Sequence, residues 1–212
     1  MSDRRAPVSD HLAPDRCAVL IVDLQNDYIH DDGAVARMGQ DVAAGQAIMP
    51  AVHALIDAAR AVDVPRIYVR TTHGPWTDTP AWRGRGSTGN DLDIGNVPLV
   101  QPGTWGSELY QLAPQADELV VTKHRYSSFA YTALELNLCA AGRDTVVLAG
   151  TQTDVCVEAT ATDAIMRGFH PVVAPECVAT STPGRQVIGL ERFASHLGRV
   201  ISLDEIRRAW KQ

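Results

Sequence analysis

Three reactive side chains in this chain each follow an apolar run that reads as a buried strand. The run Val146-Val147-Leu148-Ala149 leads through Gly150-Thr151-Gln152-Thr153-Asp154-Val155 to Cys156, and a helical pattern then continues to Gly168. A strand that stops at a glycine and turns into a helix places Cys156 in the first helical turn, where unpaired amides carry positive potential. That potential favours a thiolate and can cradle an oxyanion, so Cys156 reads as a nucleophile seat; a small buried cysteine is the alternative. Cys17-Ala18-Val19-Leu20-Ile21-Val22 delivers Asp23 in the same way, and Glu118-Leu119-Val120-Val121-Thr122 delivers Lys123. Taken singly, Asp23 could cap a turn and Lys123 could be a surface charge. Together, a carboxylate that takes a thiol proton, an ammonium that steadies anions and a thiol are the parts that attack on a carbonyl requires.

Such side chains converge only if their strands end on one edge of a sheet. In a parallel sheet all carboxyl ends share one edge, where ligands bind. The rest of the chain alternates strand and helix patterns as that requires. Pro50 can sit in the first turn of a helix with Val52, Leu55, Ile56, Ala59 and Val62 at helical spacing, and Arg66 to Arg70 reads as the second strand. Thr132-Ala133-Leu134-Glu135 is a capping box for a helix that Gly142 can close, and Asp144 to Ala149 is the strand before the cysteine turn. In the helix after that turn, Val157, Ala161, Ala164, Ile165 and Gly168 share a face, and His170 to Ala174 is a short strand. Thr182-Pro183 opens a helix with Val187, Leu190, Ala194 and Leu197 inward, and Ser202-Leu203-Asp204-Glu205 is a second capping box. Crossovers of this length predict a three-layer α/β/α domain with a mostly parallel, doubly wound sheet. Residues 1–212 read as a single domain, with 1–14 a flexible N-terminal segment.

One stretch breaks the alternation. From Thr71 to about Trp105 no strand or helix pattern is convincing, yet Trp76, Trp82 and Trp105 fall within it. A connection of that length in a compact domain is functional or disordered, and tryptophans argue for packing over the active edge or into a subunit contact. His73, Arg83 and Arg85 are then candidates to meet a polar or anionic substrate, with Trp76 and Trp105 beside them, since arginine forks suit carboxylates; a solvated surface is the alternative. After the first strand, Asn26, Asp27 and Tyr28 shape either the pocket or a turn.

Val22-Asp23-Leu24-Gln25-Asn26-Asp27, Lys123-His124-Arg125-Tyr126-Ser127-Ser128-Phe129 and Gly150-Thr151-Gln152-Thr153-Asp154-Val155-Cys156-Val157 resemble, in order and spacing, the motifs of the isochorismatase-like superfamily. Its members include nicotinamidases, N-carbamoylsarcosine amidohydrolases, biuret hydrolases and ureidoacrylate amidohydrolases. The resemblance spans about Cys17 to Ile201 and carries the family's aspartate, lysine and cysteine onto Asp23, Lys123 and Cys156. It implies hydrolysis of a small amide, carbamoyl or ureide C–N bond through a thioester on Cys156. It further implies an oxyanion hole from the amides of Gln152 and Cys156, a cis peptide at Thr151-Gln152 and assembly as a homodimer or homotetramer. Nicotinamidases of the family carry an Asp-x-His pair and another histidine after the second strand. Here that place reads Arg70-Thr71-Thr72-His73, so no catalytic metal and no other cofactor are expected, which argues against nicotinamide as substrate. A vinyl-ether hydrolase on the same fold, or a binding protein that kept it, is the rival reading; Cys156 counts against the first and the intact trio against the second.

Composition narrows the field further. A formal net charge of −6 leaves no basic footprint for nucleic acid. No apolar run approaches the ~18 residues of a membrane span, and the polar start lacks a signal peptide's apolar core. Cys17, Cys139, Cys156 and Cys177 lack close pair spacing and read as reduced thiols of a cytoplasmic protein, the three besides Cys156 being structural.

Overall fold

Side-chain alternation along the first strand dictates a sheet covered on both faces. In the computed structural model, which describes residues 11–85 and 98–211, β1 (Cys17–Val22) is buried at every position. Cys17, Val19 and Ile21 enter one apolar core, while Ala18, Leu20 and Val22 enter another. Successive residues of a strand face opposite ways, so a strand apolar throughout must lie between two layers. Beside it run β2 (Arg66–Thr71), β3 (Leu119–Lys123), β4 (Thr145–Thr151), β5 (His170–Ala179) and β6 (Arg199–Val200). The order is β3-β2-β1-β4-β5-β6, with every pairing parallel. Helices α1 (Met49–Arg60) and α5 (Leu203–Ala209) supply Val52, Leu55, Ile56 and Ile206 to the first core. On the other face, α2 (Leu134–Ala140), α3 (Glu158–Met166) and α4 (Pro183–Arg192) bring Leu134, Leu138, Ala161, Ala164 and Leu190. This is the three-layer α/β/α architecture that the strand–helix alternation predicts. Among the described residues no helix is long and apolar enough to cross a membrane.

The topology creates the site. The chain builds outward from β1 through β2 to β3, then crosses back so that β4 lies on the other side of β1. At such a reversal the connections diverge and leave a crevice at the carboxyl ends of the strands. Gly150 lets β4 close against β1 there. Its φ is +123°, and a Cβ would stand 1.9 Å from the Val22 carbonyl oxygen, so a side chain would push the two strands apart.

Several local expectations change in the fold. Thr132 does not form its capping box; its hydroxyl donates to the Ser128 carbonyl and accepts from the Leu134 amide, so α2 starts after Ala133. Glu135, the would-be partner, pairs instead with Arg167 at 3.1 Å. The Ser202–Glu205 box does form. Strand β5 runs on to Ala179, five residues past the expected end, because it continues along β4 after a register shift. Val187 and Ala194 are exposed rather than inward, and Ile165 is exposed although Val157, Ala161 and Ala164 of its expected face are buried; Gly189 and Phe193 take the buried side of α4 and the π-helical turn that follows it. Within the segment expected to lack structure, Pro80–Arg83 forms one helical turn whose Thr79 cap accepts from the Trp82 amide; residues 86–97 lie outside the described residues. Of the N-terminal segment expected to be flexible, 1–10 also lie outside them, whereas Leu12 packs into the first core.

Strand β3 carries Lys123 at the sheet edge, and Leu119 and Val120 are both exposed there. With so little apolar burial, an ion-pair cluster holds the strand's start. The buried Glu118 carboxylate accepts from Arg60 at 2.8 Å and from Arg66 at 2.9 Å. Burial alone would raise its pKa, but the hydrogen bonds from Arg60, the Gln115 amide and Arg66 outweigh that and bring it to about 2, below the ordinary 4.5. A depressed carboxyl pKa stabilises the fold fully above pH 4.5, and that contribution is lost as pH falls toward 2. Glu118→Gln should therefore lower stability at neutral pH by about 3 kcal/mol, the order expected when one member of a buried pair is removed. It should also flatten the acid limb of the stability profile between those pH values. Denaturant titrations across that range check both, and parallel acid limbs for the two proteins would contradict the assignment.

Candidate active site

Strand register brings the three reactive residues together. Val22 lies beside both Val69 and Gly150, and Thr71 lies beside Lys123, so the ends of β3, β2, β1 and β4 meet. Asp23 follows β1 in a left-handed backbone conformation, φ 55°, which aspartate tolerates better than most residues. Lys123 ends β3, two strand spacings or roughly 10 Å from β1, and only a long side chain spans that gap. Its ammonium, fully buried, sits 2.8 Å from Asp23 Oδ2 and 3.5 Å from Cys156 Sγ. The Arg125 carbonyl accepts from it at 3.0 Å, so the ammonium has an ion-pair partner in Asp23 and two hydrogen-bond acceptors. Cys156 lies in a π-helical turn (Thr153–Val157) that leads into α3, a wider turn of the kind that recurs at functional sites. The peptide between Thr151 and Gln152 is cis, as the family resemblance implies.

The electrostatics follow from one cation facing two acids. Burial pushes the Cys156 thiol up to about 12; the Lys123 ammonium pulls it down, and the Asp23 carboxylate pushes it up again. Burial works against the charge on Lys123, but the adjacent Asp23 and Cys156 more than offset that and hold its pKa above the ordinary lysine value. These directions favour a protonated thiol beside a charged ammonium, rather than the standing thiolate that helix-start amides alone would suggest. Cys17 and Cys177 are buried away from this cavity, and burial raises both thiols, to about 11 and about 12. Cys139 is exposed.

Several positioning residues escape a reading of the sequence. Gln25, completely buried, accepts from the Thr71 amide at 2.7 Å and donates to the Thr71 and Ser107 carbonyls at 2.9 Å each. Held in this way, Thr71 donates its hydroxyl to Asp23 Oδ1 at 2.8 Å and fixes which carboxylate oxygen faces Lys123. Ser128 bonds Thr160 of α3 through amide and hydroxyl, tying the chain after Lys123 to the helix after Cys156. Thr153 donates to Gln186, which donates in turn to the Val178 carbonyl, so α4 braces the cysteine turn. Asn26 and Asp27 serve the loops rather than the pocket: Asn26 donates to the Trp105 carbonyl, and Asp27 accepts from the Ala34 and Val100 amides. Position in a motif is the only sequence signal for Gln25, and Thr71 has none.

A cavity of about 370 Å³ opens onto the trio. Of the candidate binding residues, Tyr28, His73 and Arg85 line it, together with Trp82, Tyr126, Arg125 and Arg185. Arg85 stacks 3.5 Å from the centre of the Trp82 ring and donates to the Tyr126 hydroxyl at 3.0 Å. Tyr28 faces the Thr71 hydroxyl, and burial, with the nearby Asp23 charge, raises its phenol well above the ordinary range. Trp76, Arg83 and Trp105 do not line the cavity. Trp76 is 98% exposed, and Trp105 packs edge-on against His30. Arg83 follows Trp82 directly on the short helical turn, so it points roughly 100° away from it, into solvent. His73 pairs with Asp78 at 3.1 Å, and no group of three potential metal ligands stands together among the described residues.

Known proteins share this fold and are similar along the chain. The isochorismatase domain model matches residues 17–205. A ureidoacrylate amidohydrolase from Azorhizobium caulinodans is 29% identical over 221 residues, covering 99% of this chain and 96% of that protein. An N-carbamoylsarcosine amidase from an Arthrobacter species is 29% identical over 198 residues, covering 90% and 70%. Among solved structures, a cysteine hydrolase from Pseudomonas syringae superposes with a TM-score of 0.82 at 28% identity, covering 93% of each chain. The N-carbamoylsarcosine amidase from Thermoplasma acidophilum gives 0.71 at 29% identity, covering 88% and 95%. A parallel sheet whose strand ends gather these motifs, matched from the first strand into the last helix, places the chain in the isochorismatase family.

Proposed function

We propose that the protein is a single-domain hydrolase that cleaves the C–N bond of a small amide, carbamoyl or ureide compound through a thioester on Cys156. The observation that carries this reading is the Lys123 ammonium within 2.8 Å of Asp23 and 3.5 Å of Cys156, at the floor of a cavity. The Cys156 thiol gives its proton to Asp23 as Sγ bonds to the substrate carbonyl carbon and the carbonyl electron pair moves to oxygen. Lys123 stays paired throughout, first with the carboxylate and then with the forming thiolate. The amides of Gln152 and Cys156 donate to the oxyanion, which is where preorganised donors lower a barrier most. Collapse breaks the C–N bond, and the departing nitrogen takes the proton from Asp23. Water then adds to the thioester, giving a proton to Asp23; Sγ leaves and takes that proton back. The balance is amide plus water to acid plus amine.

Relatives named as amidohydrolases support the reaction class, and the absence of an Asp-x-His pair at Arg70 to His73 supports chemistry by side chains without a cofactor. The same reading takes the enzyme as cytoplasmic and as a homodimer or homotetramer.

Removing any member of a unit that acts together should cost nearly the whole rate. Cys156→Ala should abolish turnover while thermal unfolding stays cooperative, and Asp23→Asn and Lys123→Ala should each lose roughly 10⁴-fold or more in kcat. The double variant Asp23→Asn/Cys156→Ala should be no slower than Cys156→Ala alone. Ammonia or amine release from a panel of amides and ureides measures this; full activity in Cys156→Ala would mean that another group is the nucleophile.

The arginines separate by position. Arg85→Ala should raise KM and lower kcat/KM about tenfold to a hundredfold, the loss of one charged hydrogen bond. Arg83→Ala, outside the cavity, should leave both constants near wild type. Steady-state kinetics on an anionic substrate decide it, and equal effects of the two substitutions would contradict the assignment.

A further inference from the structure

Resting on the hydrolase reading above, we infer that the substrate is amphipathic: beside its anionic group it carries an apolar substituent, of branched-aliphatic or aryl size. The cavity is lined by two unlike sets of residues. One is cationic and aromatic, with Arg85 stacked on Trp82 and bonded to Tyr126. The other is mainly apolar, with Ile29, Val35, Met38, Val42 and Leu99, and with Gln40 and Asp41 between Met38 and Val42. Val35 and Leu99 belong to a small core of their own with Ala34 and Val100, against which Met38 and Val42 pack.

This second set comes from two loops distant in sequence, and a buried carboxylate fastens them. Asp27 Oδ1 accepts from the Ala34 amide at 3.0 Å and Oδ2 from the Val100 amide at 2.7 Å. Gly106 lies flat on the same carboxylate, where a Cβ would stand 2.1 Å from Oδ2. The apolar set is therefore fixed by the fold before any ligand arrives. Water against such a surface lacks the two to four polar partners that hold it in place, so an apolar group that displaces it gains affinity. A reacting carbamoyl group takes up about three water volumes, ~90 Å³, against the cavity's 370 Å³. The remaining space is lined by Arg85 and by the apolar set, and a carboxylate bearing an apolar side chain matches both.

Two probes test this on the full-length Cys156→Ala protein by calorimetry: N-carbamoylglycine and N-carbamoyl-leucine, the latter as each enantiomer. One enantiomer of the leucine compound should bind at least tenfold more tightly than the glycine compound. Met38→Glu, or Val42→Glu should the first variant not fold, should erase that gain, whereas general damage to the site would weaken both ligands alike. Equal or weaker binding of the leucine compounds, or a gain that survives the charged substitution, overturns the inference. Ammonia release by the unsubstituted enzyme separates this from the hydrolase reading. Release from N-carbamoylglycine without any preference for leucine removes the apolar subsite and leaves the hydrolase. Tight leucine binding with no release from either compound overturns the assignment of this ligand as substrate, and no release from any compound of the amide and ureide panel overturns the hydrolase reading.

Discussion

An ammonium withdrawn from water must keep an anion beside it, and Lys123 has two acids in reach but charge for only one. At rest the partner is Asp23, and Cys156 stays a thiol because burial and the neighbouring carboxylate both oppose a second negative charge. In the proposed reaction, moving one proton from sulfur to carboxylate exchanges the partners and leaves the net charge of the site unchanged. On that proposal the nucleophile is made at the moment it is needed, by a transfer that costs little solvent reorganisation. Positive potential at the start of a helix contributes, but it does not set the resting ionisation by itself.

Everything that positions this exchange lies at strand ends. Lys123 must cross the end of β2 to meet Asp23, which ties its placement to an edge strand with little apolar burial, and the Glu118 cluster with Arg60 and Arg66 secures that strand at its other end. Gln25 locks Thr71, and Thr71 orients Asp23. Gly150 admits β4 against β1, while Gln186 and Ser128 fasten the cysteine turn and the lysine segment to the helices around them. The apolar cores give the sheet its stability; these few polar contacts give the site its geometry.

How much of this is legible in the sequence depends on the range of the interactions. The runs Cys17–Val22 and Val146–Ala149 are apolar at every position, so burial on both faces, and with it the three-layer fold, can be read directly. Asp23, Lys123 and Cys156 stand out because each follows such a run. Features decided by tertiary contact are not visible. Thr132 has the residue pattern of a cap, but its hydroxyl is taken by Ser128. Arg83 and Arg85 look equivalent until the Pro80–Arg83 turn directs one to solvent and leaves the other against Trp82. Trp76 suggests packing, yet its side chain stands in solvent. Asp27 resembles a pocket residue by its place in the motif, and instead it fastens two loops whose pairing no local pattern encodes.

The claim that one cation serves two acids is tested most directly by titrating the thiol with its competitor removed. Ultraviolet thiolate absorbance, taken as the difference from the matching Cys156→Ala protein to cancel Cys17, Cys139 and Cys177, isolates Cys156. In the wild type the thiolate should appear only toward strongly alkaline pH. In Asp23→Asn, Lys123 has no other anion to pair with, so the thiolate should appear well below that range even though turnover is lost. A Cys156 in Asp23→Asn that titrates at or above the wild-type value would contradict the account.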